Sequence, residues 1–219
     1  MNALLYALVV VIWGTTWIAI SLQQQSGIST NVAVFWRFFI SALVLFAFIV
    51  LCRKLQKLAV KDHLFCVLQA CCIFGFNFVC FYYAVQYISS GLEAVIFSMA
   101  VIFNTLNAKL FFGQQVSTRF YPAALLGGLG IIALFWHDVV GSTVNNHTLM
   151  GIGLCVLGTY GFSLGNMISA RHQKQGLDIF TTNAYGMLYG SILMALIAGF
   201  KQDEFFPAME FSAVSALLY

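Results

Sequence analysis

Long apolar runs separated by short polar stretches set the pattern of this chain. They neither alternate like strands nor repeat at helical spacing with one wet face. A membrane-crossing helix needs about 20 mostly apolar residues. Seven stretches answer to that: 3–22, 31–52, 64–85, 90–112, 120–136, 149–170 and 180–200, the fifth at the lower limit. An eighth opens near Phe211 and reaches Tyr219 after nine residues. At helical rise that is about 13 Å, less than half of a ~30 Å hydrocarbon core. The pattern predicts an all-α polytopic membrane protein with seven complete spans plus the start of an eighth, in a chain truncated at its C-terminus. A transmembrane barrel would instead show weak alternating segments of about ten residues.

The connections are short, as between antiparallel neighbours, and their charges orient the chain. Lys and Arg gather on the cytoplasmic side of a membrane. One set of loops and helix ends holds Arg53, Lys54, Lys57, Lys61, Lys109, Arg119, Arg171 and Lys174, and the other holds Lys201. The N-terminus is therefore expected in the cytoplasm, with Asp138, Asp203, Glu204 and Glu210 outside. Its apolar run starts at once, with no charged leader region and no cleavage site before a polar chain. The first run should thus stay as a helix.

Composition narrows the class. Of the 219 residues, 61% are apolar and 8% charged, against about 45–50% and 25% in soluble domains. A net charge of +3 without a basic stripe excludes a nucleic-acid partner. The six cysteines sit in or beside apolar runs without metal-ligand spacing, which predicts free thiols, no zinc and no other cofactor. The four histidines lie in loops or at span ends, and no His-Glu-x-x-His or phosphate-binding glycine loop is present. An intramembrane enzyme and an ATP-driven pump are both disfavoured. A seven-helix receptor would place the N-terminus outside, against the charge bias, and 180–200 lacks the lysine a retinal protein needs.

The stretch Val11 to Ser21 has a weak echo about 147 residues later in Leu157 to Ser169, with Trp13-Gly14 against Tyr160-Gly161. That offset spans five helices, and an odd number inverts the second copy, as in transporters built from inverted repeats. Three further markers stand together. They are Trp13-Gly14-Thr15-Thr16-Trp17, Phe35-Trp36-Arg37-Phe38, and the run Tyr87-Ile-Ser-Ser-Gly-Leu-Glu-Ala-Val-Ile-Phe-Ser98. With these the chain resembles the EamA-type members of the drug/metabolite transporter superfamily. The resemblance implies ten helices in two inverted five-helix repeats that move small metabolites, often amino acids, usually outward. It would make 1–136 the first repeat and 149–219 an incomplete second one. Val101 stands where the resembled helix commonly carries proline, and Gly113-Gln114 where it often ends in Gly-Glu. Against that pattern the chain would lack the end of the eighth helix and the ninth and tenth.

Ionisable groups inside spans are costly and mark function. Arg37, about 9 Å inside the outer end of its helix, and Glu93 lie at similar depth. Arg37 would attract a substrate carboxylate or pair with Glu93, and Glu93 could instead carry a coupling proton. Glu93, Phe97, Ala100, Asn104, Asn107 and Phe111 share a stripe within about 80°, which should face protein or a water-filled path. Trp13 and Trp17, on a face with Tyr6 and beside Thr16, suit an aromatic wall for a small amphipathic substrate. Gln69 and Asn77 could line the same cavity, with Ser163 and Asn166 weaker candidates. Gly161-x-x-x-Gly165 and Gly186-x-x-x-Gly190 should let helices approach closely. The expected function is a secondary transporter, an inner-membrane exporter of small metabolites such as amino acids, working by alternating access. Its expected partners are a small-molecule substrate, a proton as coupling ion, the lipid bilayer and, as a candidate assembly, a homodimer. The competing expectation is a truncated, transport-incompetent remnant.

Overall fold

The computed structural model describes residues 2–25, 27–134 and 146–205, which form helices joined by short connections with no strand among them. The helices are α1 (Asn2–Gln25), α2 (Thr30–Leu51), α3 (Val60–Cys71), α4 (Asn77–Ala84), α5 (Ser90–Phe97), α6 (Ala100–Phe112), α7 (Phe120–Leu134), α8 (Asn146–Lys174) and α9 (Ile179–Lys201). Among the described residues, six stretches are long and apolar enough to cross a membrane: Ala3–Gln23, Thr30–Leu51, Val60–Ala84, Ser90–Phe112, Asn146–Lys174 and Ile179–Lys201. The chain is a multi-pass membrane protein.

Six of the seven expected complete spans are among these stretches, and segment 120–136 is not. Segment 120–136 appears as α7, 15 residues long, or roughly 22 Å at helical rise. This described part is apolar throughout, and residues 135 and 136 of the segment lie outside the described residues. The eighth segment, from Phe211, lies outside the described residues, as do Asp138 and Glu210.

Two of the spans are interrupted. A single π-helical turn, Cys72–Phe76, joins α3 to α4. Wider turns of this kind shift the phase of every residue that follows. The π turn is wedged between glycines. A Cβ on Gly161 or Gly165 of α8 would collide with Phe76 or Ile73, and one on Gly186 or Gly190 of α9 with Phe74. Both Gly-x-x-x-Gly motifs thus do the packing expected of them, and both do it against the π turn. The other interruption, between α5 and α6, has no proline. The amides of Ser98, Met99 and Val101 reach back only three residues, to Val95, Ile96 and Ser98.

Polar interlocks tie the helices at both ends. At one, Gln202 in a left-handed turn (φ 58°) ends α9. The Asp203 carboxylate then accepts hydrogen bonds from Ser29 Oγ (2.6 Å) and Asn31 Nδ2 (2.9 Å), and Trp36 Nε1 donates to the Phe205 carbonyl (3.0 Å). At the other, Arg171 of α8 bridges to Asp62 of α3 at 3.0 Å and lies 3.6 Å over the Phe65 ring. There the Asp178 amide donates to Gln56 Oε1 at 2.6 Å. All six cysteines are free.

Candidate substrate cavity

A cavity of about 670 Å3 opens where α1, α2, the α3–α4 span, α5, α8 and α9 converge. On α1, helical spacing turns Trp13, Thr16, Trp17 and Ile20 to one side. Trp17 is nearly buried, with its ring 5.2 Å from those of both Phe81 and Phe97. Trp13 sits 5.8 Å from Phe97 and 5.9 Å from Phe162. These edge-on contacts build a continuous aromatic wall. Across from it α2 supplies Arg37, whose guanidinium carbon lies 5.6 Å from the Phe78 ring centre. Asn77, first residue after the π turn, is 1% exposed, and its Oδ1 accepts no hydrogen bond. Asn183 of α9 completes the polar lining, its Oδ1 taking a 3.0 Å bond from Gln69 Nε2.

The arrangement offers a guanidinium for an anion, a buried amide oxygen that lacks a donor, and flat rings for an apolar body. Four sequence candidates meet here: Trp13, Trp17, Arg37 and Asn77. Three lie elsewhere. Asn107 is buried and donates to Ser163 Oγ at 2.9 Å. Asn104 accepts from Asn166 Nδ2 at 3.3 Å and lines a second cleft of about 500 Å3 between α6 and α8. Glu93 is fully buried, and neither carboxylate oxygen has a hydrogen-bond partner. The Arg37–Glu93 pair is not formed. Of the stripe on α5 and α6, Asn104 and Asn107 face α8, Phe97 faces the cavity and Phe111 is exposed. Gln69 stands behind Asn183 instead of beside Asn77, because the π turn alters the phase between them. Tyr6 is 73% exposed and takes no part. Asn183, Ser41 and Phe162 were not foreseen. For Asn183 the signal was available, as a polar residue inside the last apolar span.

A bundle of apolar helices around a cavity with a cationic and amide-lined wall defines a class, the polytopic membrane carriers of small molecules. A family model described as the EamA-like transporter family matches residues 1–136. The chain belongs to that family. It is also 25% identical over 214 residues to a Bacillus subtilis protein described as "Uncharacterized transporter YoaV", the alignment covering 96% of this chain and 71% of that relative. Family and relative together make this a membrane transporter and point away from an enzyme.

Proposed function

We propose that the chain is a secondary transporter that exports small metabolites such as amino acids by alternating access. Residues 1–136 form a first five-helix repeat, with α7 in its fifth member, and 149–219 belong to an inverted second one. In this reading the N-terminus is cytoplasmic and the host membrane is a bacterial inner membrane. The observation that carries the proposal is the cavity itself, which puts Arg37, Asn77 and an aromatic wall around one volume. Arg37 takes a substrate carboxylate, Asn77 Oδ1 accepts from a donor such as an ammonium, and Trp13 and Trp17 flank the side chain. Glu93, Asn104 and Asn107 act from the neighbouring α8 seam. Access runs past the first half of α1, where the described side chains from Ala3 to Gly14 are all exposed.

The same exposure, shared by most of α7, favours a second reading, a transport-incompetent remnant. One experiment separates the two. The chain is reconstituted in proteoliposomes loaded with labelled phenylalanine, an amino acid that uses both the cation and the rings. A transporter releases it saturably, and Arg37→Ala lowers release at least tenfold at equal membrane content. Unchanged release in the variant overturns the role of Arg37. No release by the parent chain favours the remnant.

A further inference from the structure

The cavity makes no direct use of Glu93, yet few side chains in the molecule sit in a costlier place. It lies in the first turn of α5, four residues beyond the Ser89 cap, at 0% exposure. Both of its oxygens are buried and neither meets a donor. A carboxylate so placed has lost its water without compensation, and in a membrane protein that expense marks function.

Its surroundings connect it to the cavity and to α1. Tyr82 of α4 and Cys155 of α8 lie within electrostatic reach of Glu93, with Cys80 of α4 in reach of Cys155 and Arg37 of α2 in reach of Tyr82. The Cys155 thiol lies 3.6 Å from the Glu93 backbone carbonyl, not from its carboxylate. Tyr82, also at 0% exposure, is within electrostatic reach of both Glu93 and the cavity's Arg37. Its hydroxyl donates to Gln23 Oε1 and so latches α4 to the end of α1. Buried Ile20, Ile28, Ile88 and Leu92 belong to the same apolar cluster as Tyr82.

We propose that Glu93 is the binding site of the coupling proton, and that its occupancy sets the Tyr82–Gln23 latch. With the proton on, a neutral acid rests in the dry site and the latch stays closed. With the proton off, the carboxylate draws in water or the Arg37 guanidinium, which parts α1 from α4 and opens this end. The inference deepens the transporter reading and rests on it, but proton binding can be read without transport.

Two measurements on the full chain in lipid separate them. The first is pH-difference infrared spectroscopy. The parent protein should show the carbonyl stretch of a buried carboxylic acid that titrates. The band is lost in Glu93→Gln and kept in Glu93→Asp, which guards against a variant that fails to fold. Absence of the band from the parent, or its survival in Glu93→Gln, overturns the proton site whatever the flux does. The second is phenylalanine release under an imposed pH gradient. Acid outside should raise parent release at least tenfold, whereas Glu93→Gln should release at a rate indifferent to the gradient. An equal response in parent and variant overturns the coupling while leaving the transporter intact. A response to a sodium gradient in place of the pH gradient overturns the proton as ligand. If the parent releases no phenylalanine, the transport reading fails and the infrared band alone decides the proton site.

Discussion

Asn77 shows how a single side chain can cost stability and serve function at once. Its Oδ1 is buried without a donor, and an unsatisfied acceptor costs about 1–3 kcal/mol. Leucine has nearly the same shape and no such debt. Asn77→Leu should therefore melt at the same temperature as the parent or higher, while binding phenylalanine about tenfold more weakly, the equivalent of roughly 1.4 kcal/mol. Quenching of Trp13 and Trp17 fluorescence reads the affinity. A variant that loses stability but keeps affinity would make Asn77 a packing residue. Asp203, outside the spans, carries a prediction in pH. Hydrogen bonds from Asn31 and Ser29 hold its carboxyl below the ordinary value of 3.8. A lowered folded-state pKa contributes stability that is fully present above the unfolded value and is lost as pH falls through the folded one. Asp203→Asn should thus melt below the parent at neutral pH. The gap should close as pH drops below about 4, and a gap independent of pH would assign the interlock to shape alone.

At the scale of elements, the two interruptions decide which residues reach the cavity. The π turn puts Phe74 against α9 so closely that a Cβ on Gly190 would lie 2.7 Å from Phe74 Cβ and 3.1 Å from its backbone carbonyl. Backbone cannot swing aside as a side-chain tip can. Gly190→Ala should cost about 1–3 kcal/mol as overpacking and should disturb the cavity through Asn77, three residues on. A fall in both melting temperature and phenylalanine affinity is expected, whereas Gly199→Ala, with open space around it, should change neither. These interruptions also mark where sequence reading stopped. The spans were legible because apolar runs near 20 residues have one explanation. Trp13, Trp17 and Arg37 were legible as cavity residues because each lies on a helix of regular phase. Asn104, Asn107 and Glu93 belong to a span that breaks at Ser98 and Met99 without proline, and the face they present depends on that break. Gln69 and Asn77 are separated by the π turn in the same way. Helical projection assumes an unbroken helix, and in these two spans it had none.

For the whole molecule, orientation remains the strongest inference that no side-chain contact supports, because it rests on where positive charge collects. Arg53, Lys54 and Lys57 follow the end of α2, and Arg171 and Lys174 end α8. The Asp62–Arg171 bridge holds these two regions together, so they share one face of the bundle. The opposite face carries the Asp203 interlock and the closed latch of Tyr82 and Gln23. Of the six cysteines, only Cys52 is exposed, and it sits immediately before Arg53. The basic face should be cytoplasmic, which places that thiol inside the cell. A membrane-impermeant maleimide should then label inside-out vesicles at least tenfold more than right-side-out ones, with the signal lost in Cys52→Ser. The reverse ratio would turn the protein over. It would put the Glu93 end of the bundle toward the cytoplasm, and the proton that closes the latch would then come from within the cell.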